Sequence, residues 1–337
     1  IQNCKPLPIN LETPSISIII PARNEEDHIK VCLDSLLIQD YPRDKIQIIP
    51  VNDGSTDNTK NIIKTIADNF SRIIPVNIQE DRNQGKIHAL DTGILKADGE
   101  IILTTDADVR FNKSWVSTLV NQFSSTTGMV IGMTIDKFNL SPLQLFQSLD
   151  SAGLRAISAV LALIQCPITC QGANLAFRKE AYMQVRKSVL HLGKIKGNRE
   201  WLLQEINNKT EWEIIPIVHP YSIVHTQPPS SWLGMINQRS RWASTGKNYS
   251  NILVKIYLGM ILLSLLNFTF AIFILSPSNL LNIWLVKLLT DLPVALGVIC
   301  IVRQPLLLLG FPFAFIMQPF LIIIASLLGT FNIYKWK

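Results

Sequence analysis

Three short runs of apolar, mostly β-branched residues constrain this chain more than anything else in it. They occupy residues 16–20, 46–51 and 101–105. Each is too short for an ordinary helix and too uniformly apolar for a strand with one wet face. That pattern belongs to strands buried on both faces of a parallel sheet. A shorter run follows at 73–76, and helical patterns lie between the runs at 29–37, 58–70 and 86–96. Pro21 stops the first run, Gly54-Ser55-Thr56-Asp57 supplies a turn with N-cap chemistry, and Asp98-Gly99 turns the chain again. The alternation predicts an α/β fold with a doubly wound, mostly parallel sheet. Such sheets bind ligands outside the carboxyl ends of their strands. Polar clusters stand at those ends here: Asn24-Glu25, Asn52-Asp53 and Asp106-Ala107-Asp108.

Further along, the pattern predicts a helix at 113–124, a strand at 129–135 and a long apolar helix at 141–164 with Asp150 and Arg155 inside it. A short helix at 200–206 and a strand at 212–218 follow. Residues 230–247 mix Trp, Arg and Lys in an amphipathic pattern that suits a helix lying in a membrane interface. Beyond about 250 the composition changes abruptly. Residues 256–275 are uncharged and long enough to span a bilayer, which takes about 20 apolar residues. Residues 306–331 form a second candidate, with kinks expected at Pro312 and Pro319. Residues 280–302 are weaker because they carry Lys287 and Asp291, each costing about 2.5–3.5 kcal/mol at the bilayer centre. Four residues apart, these two share a helix face. They form either an intramembrane polar site or a satisfied pair in a re-entrant or protein-packed helix. Two spans would return the C-terminus to the side of the soluble domain. Three would place Lys335 and Lys337 opposite it, against the positive-inside rule.

The expected domains are 1–229, an interfacial helix at 230–250 and a membrane region at 251–337. The chain opens at Ile1 rather than at methionine, so upstream residues are expected. Its five cysteines (Cys4, Cys32, Cys166, Cys170, Cys300) are odd in number and scattered. This argues against a disulfide framework or a zinc site and for a reducing compartment. The net charge of +6 comes from dispersed residues, which excludes a nucleic-acid partner and suits anionic headgroups.

Five pieces recur in fixed order: Pro21-Ala22-Arg23-Asn24-Glu25, Asn52-Asp53-Gly54-Ser55, Asn83-Gln84-Gly85-Lys86, Asp106-Ala107-Asp108 and Gln238-Arg239-Ser240-Arg241-Trp242. Over roughly residues 15–242 this order resembles the inverting family 2 glycosyltransferases, in the membrane-associated branch with a GT-A fold and a QxxRW motif. The resemblance implies a nucleotide-sugar donor, a UDP-sugar by family habit, and a divalent cation, Mg2+ or Mn2+. Asp108 would ligand the cation, with Asp106 assisting it or facing the ribose. Hard cations take carboxylate oxygens and offset charge on a departing diphosphate. Asp53 would contact the uracil or ribose, and Pro21, Ala22, Asn24, Glu25 and Ala107 would flank the nucleotide. Lys86 would reach phosphate or base from a helix N-terminus.

Gln171, Gly172 and Asn174 would line the acceptor side. Gln238 and Arg241 would hold the diphosphate, and Trp242 would stack on a sugar. The acceptor implied is a glycan or lipid-linked sugar, and the place an inner membrane with the catalytic domain in the cytoplasm. The plainer readings are turn-forming aspartates, an exposed lysine, and an interfacial Trp-Arg belt.

One piece departs from the family. Inverting transfer needs a general base, which relatives carry in an acidic pair before a helix with two leucines. This chain has Gly197-Asn198-Arg199-Glu200-Trp201-Leu202-Leu203. Asn198 and Arg199 stand where the acids belong, and neither titrates usefully. Either Glu200 is a displaced base, with Glu205 a surface residue, or the chain is a degenerate nucleotide-binding or scaffold subunit of a synthase complex.

Overall fold

The computed structural model describes residues 13–79, 85–196, 200–245 and 276–334, with scattered positions between 255 and 270. The sheet has seven strands in the order β3-β2-β1-β4-β7-β5-β8. They are β1 (Ile16–Ala22), β2 (Ile46–Asp53), β3 (Val76–Ile78), β4 (Ile101–Thr104), β5 (Thr127–Gly132), β7 (Leu175–Arg178) and β8 (Glu213–Ile217). β6 (Thr134–Asp136) and β9 (Val224–Thr226) pair separately. β1 runs parallel to β2 and β4, and β2 parallel to β3. β7 is antiparallel to both its neighbours, and β5 runs parallel to β8. This is the mixed but mostly parallel sheet that the alternation predicts.

Every residue of β1 is buried, and its side chains divide with period two. Ile16, Ile18 and Ile20 join one core with Leu33 and Leu36 of α1 (Ile29–Leu37), Ile63 of α2 (Thr59–Ala67) and Trp115 of α4 (Trp115–Val120). Ile19 faces the other core. There it meets Leu90 and Ile94 of α3 (Lys86–Lys96), Tyr182 of α6 (Lys179–Lys196) and Leu203 of α7 (Glu200–Lys209). Full burial of each isoleucine contributes about 1.5–3 kcal/mol. Asp91 joins α3 to α6, accepting from Arg186 Nε at 2.6 Å and Nη2 at 2.8 Å and from the Tyr182 hydroxyl at 2.8 Å.

The chain divides into two units. The first takes residues up to 135 together with 155–226 and holds the seven-stranded sheet. The second takes 136–154 and 227 onward. It comprises the start of α5 (Pro142–Leu163), α8 (Trp232–Thr245), α9 (Pro277–Val302), a 3₁₀ turn (Pro305–Gly310) and α10 (Phe311–Thr330).

Several expectations shift. The run at 73–76 is not itself the strand; β3 starts at Val76, and Ile73 forms only an isolated bridge to Ile48. The strand expected at 129–135 breaks at Met133 into β5 and β6. The 18-residue α6 was not anticipated. Glu205 is buried rather than superficial, paired with Lys209 at 2.7 Å.

In the second unit the weakest span candidate is a continuous 26-residue helix, α9. Lys287 and Asp291 do pair there, and the Lys287 ammonium lies 4.7 Å from the Phe315 ring centre. The 306–331 candidate is split, since its first residues form the 3₁₀ turn. Pro312 sits in the first turn of α10, where a missing N–H costs nothing, and Pro319 lies inside the helix. These two apolar segments are long enough to cross a membrane. The candidate at 256–275 lies mostly outside the described residues.

Candidate active site

The loops leaving β1 and β2 are stitched together by their own polar residues. Asn24 adopts φ 54°, a left-handed conformation that Asn tolerates better than most residues. Its Oδ1 accepts from the Thr56 amide at 2.8 Å, while its own amide donates to Ser55 Oγ at 3.1 Å. The Glu25 amide donates to Thr59 Oγ1 at 2.8 Å, and the Glu26 amide to Asp57 Oδ2 at 3.1 Å. Asn52 accepts from the Ser55 amide at 3.2 Å and donates to Asn77 Oδ1 at 3.2 Å. The serines and threonines of the Gly54–Thr59 stretch therefore fix where Asn24 and Glu25 stand.

Pro21 and Ala22 are buried at the end of β1, and Asp53 is buried at the end of β2. Asp106 and Asp108 follow β4, with Ala107 buried between them. Gly85 (φ 87°) leads into α3, whose first residue, Lys86, pairs with Asp106 Oδ1 at 2.8 Å. The carboxylates feel one another. Burial and the charge of Asp108 push Glu25 above its usual range, against the opposing pull of His28 and Lys86. Burial and the charge of Asp106 push Asp108 up in the same way. Asp53 is raised by burial, partly offset by Arg23 and His88. The Cys32 thiol is fully buried and donates to the Asp106 carbonyl at 3.7 Å. Burial and the nearby carboxylates push its ionisation far up, so it is no nucleophile.

Glu25, Lys86, Asp106 and Asp108 thus converge. His28, which sequence reasoning passed over, lowers Glu25 and Asp108, while Arg23 and the equally unremarked His88 act on Asp53. The signal was local: His28 is three residues after Glu25, and His88 two after Lys86.

On the Gln171–Asn174 segment, the Gly172 carbonyl accepts from Thr104 Oγ1 at 3.1 Å, which seats the segment against β4. Asn174 is fully buried. Its Nδ2 donates to the Met133 and Ser222 carbonyls, both at 2.7 Å, and its Oδ1 accepts from Trp115 Nε1 at 2.9 Å. Its side chain braces the protein rather than facing a ligand. Gln171 is half-buried beside Arg155 and Ser158. Glu200 begins α7 and accepts from the Thr169 hydroxyl, two residues before Gln171. Gln204, one turn on, donates to the Ile168 carbonyl at 2.8 Å. Asn83, Gln84, Asn198 and Arg199 lie outside the described residues. Gln238, Arg241 and Trp242 are carried by α8, which belongs to the second unit.

The model of glycosyl transferase family 2 matches residues 17–185, half of the chain, and takes in Glu25, Asp53, Lys86, Asp106 and Asp108. The chain belongs to glycosyl transferase family 2. This family 2 chain is 33% identical to the glycosyltransferase AglE of Haloferax volcanii over 126 residues, 36% of this chain and 40% of that protein. It is 26% identical to the probable glycosyltransferase YdaM of Bacillus subtilis over 308 residues, 86% of this chain and 70% of that protein. It therefore spans well under two thirds of the first relative and slightly more than that of the second. Among solved structures it resembles a mannosyltransferase, PcManGT of Pyrobaculum calidifontis in complex with GDP-Man and Mn2+. The TM-score is 0.55 at 21% identity, covering 95% of this chain and 88% of that one. That likeness is one of fold.

Proposed function

We propose that this chain is a membrane-anchored inverting glycosyltransferase that moves a sugar from a UDP-sugar to a glycan or lipid-linked acceptor. The observation that carries the reading is the convergence of Glu25, Lys86, Asp106 and Asp108 at the carboxyl ends of β1 and β4. Mutual repulsion among these half-buried carboxylates would be relieved by a cation, and Asp108 is the carboxylate best suited to hold Mg2+ or Mn2+, with Asp106 beside it. Among the described residues no three acidic, His or Cys side chains are grouped so as to hold a metal ion by themselves. A hard cation held by one or two carboxylates would complete its coordination with diphosphate oxygens and water. Bound there, the ion would offset charge on the leaving diphosphate.

The protein's own groups do the rest. Asp53 holds the nucleoside end beside Pro21, Ala22 and Asn24. Lys86, at the N-terminus of α3, exchanges its Asp106 contact for phosphate oxygen. Glu200, positioned by Thr169, takes the proton of the acceptor hydroxyl as that oxygen attacks the anomeric carbon opposite the diphosphate. Gln171 and Gly172 border the acceptor. Gln238 and Arg241 bind the diphosphate, and Trp242 stacks on a sugar. Helices α9 and α10 anchor the chain, with the catalytic unit on the cytoplasmic face of the inner membrane. The substitution of Asn198-Arg199 for the acidic pair favours a second reading, a degenerate nucleotide-binding or scaffold subunit of a synthase.

Calorimetry with UDP on the detergent-purified chain is expected to show binding with Mn2+ and little without it. Glu200→Gln is expected to retain that binding and lose turnover. Binding without turnover in the wild-type chain would favour the scaffold reading. No binding under either condition would overturn the donor site.

A further inference from the structure

The helix that carries Gln238, Arg241 and Trp242 is fastened from within by a residue of its own motif that the resemblance gives no role. The Arg239 side chain is 6% exposed and that of its partner Asp150, on α5, is 4% exposed. Arg239 Nε donates to Asp150 Oδ2 at 2.8 Å, and Nη2 donates to Ser151 Oγ at 2.6 Å. Nη1 donates to Gln238 Oε1 at 2.8 Å, and the guanidinium carbon lies 4.3 Å from the centre of the Trp242 ring. One buried guanidinium therefore touches both ends of the motif while tied to a different helix.

A second wall supports α8 from another side. A Cβ added to Gly329 of α10 would fall 2.4 Å from the Ser240 carbonyl oxygen, so the two helices meet there without room for a side chain. Ser244 Oγ lies 3.1 Å from the Tyr334 hydroxyl. A guanidinium does not shed its proton, and a buried charge deprived of its partner is strongly unfavourable. Rotating or sliding α8 would separate Arg239 from Asp150, so the ion pair locks the helix in one register.

We propose that Arg239 and Asp150 are positioning residues for glycosyl transfer, setting the orientation of Gln238 and Trp242. The inference rests on the reading that Gln238, Arg241 and Trp242 act in transfer. The planar fork is essential to it, because only a guanidinium can hold Asp150, Ser151 and Gln238 while stacking on Trp242.

The test replaces the pair by apolar residues, Asp150→Leu with Arg239→Met, in the full chain in lipid nanodiscs. Buried pairs replaced in this way usually keep or gain stability, so the thermal midpoint should hold. Turnover, read as UDP release from UDP-glucose, UDP-galactose and UDP-N-acetylglucosamine, should fall about 10- to 100-fold, the scale expected for a small misplacement of reacting groups. Calorimetric UDP binding should weaken but persist, since Gln238 loses its Arg239 contact while Arg241 stays in place. The 19F resonance of 5-fluorotryptophan at position 242, assigned with Trp242→Phe, should move.

Arg239→Lys guards against a double variant that fails to fold. It keeps the charge and loses the fork, and should retain stability with reduced kcat. Full turnover and an unmoved resonance in a stable variant would overturn the positioning role. Arg241→Ala separates the two levels. If it is inactive while the double variant is fully active, this proposal alone fails. If it turns over like wild type, the motif's role in transfer falls, and the proposal falls with it.

Discussion

Glu25 and Asp108 each sit half out of water beside other carboxylates, so each holds its proton to a higher pH than a free side chain would. Two consequences follow from the sign. In folding, the native state binds more protons than the unfolded chain between the usual carboxylate pKa and the raised one. Their contribution to stability is therefore full at low pH and is lost as pH rises through that window. In binding, a cation and a proton compete for the same oxygens, so cation affinity grows as pH rises through the window. Thermal denaturation with and without Mn2+ and UDP checks both. The stabilisation by the ligands should be clear at about pH 7.5 and smaller at about pH 4.5, close to the usual carboxylate range, where protons compete for the raised carboxylates. Asp108→Asn removes one of the competing sites and should abolish most of the ligand-induced shift at either pH. A shift independent of pH would mean that these carboxylates do not meet the cation.

At the scale of elements, Gly132 shows how one helix, one loop and two strand ends are joined. It closes β5, and a Cβ there would come within 2.3 Å of the Asn174 side chain. Asn174 in turn ties Trp115 to the Met133 and Ser222 carbonyls. Gly132→Ala should therefore destabilise the first unit by about 1–3 kcal/mol through overpacking. Chemical denaturation of the full chain measures it, and a change below about 0.5 kcal/mol, the range of ordinary surface substitutions, would show that the bracket yields.

Such long-range ties were not legible in the sequence, whereas the sheet centre was. β1, β2 and β4 are buried on both faces and announce themselves as apolar runs ending in polar clusters. β3 and β7 have only three and four residues, too few to show a period. Among residues 179–192 of α6 only Ala181, Tyr182, Val185 and Val189 are buried, a narrow stripe hidden among polar neighbours. The carboxylates Glu25, Asp53, Asp106 and Asp108 were readable as candidates because they sit at or just beyond strand ends. The Asp150–Arg239 pair was not, because its partners are 89 residues apart.

At the scale of the whole molecule, the second unit presents a surface that water alone does not explain. On α9, Leu281, Leu285, Val286 and Leu289 are each more than half exposed, and on α10 so are Ile316 and Leu327. Soluble monomers rarely show a contiguous apolar patch larger than a few hundred Å2. The sole ion pair among the described residues of α9, Lys287–Asp291, is drawn toward Phe315 of α10 instead of standing on the apolar face. A helix pair of this kind suits a bilayer, with its charges turned toward protein.

Leu289, near the middle of α9 and 67% exposed, decides between solvents. In water Leu289→Lys would be neutral or would improve solubility. In a bilayer it would place a charge near mid-depth, at a cost of about 2.5–3.5 kcal/mol. Alkaline carbonate washing of membranes from cells expressing the full chain distinguishes the two. The wild-type chain should remain in the pellet, and Leu289→Lys should lower the amount recovered there, whereas a lysine at the already exposed, polar Asn279 should not. A wild-type chain released wholly into the wash would show that α9 and α10 do not lie in lipid, and a partner protein would then have to cover their apolar faces.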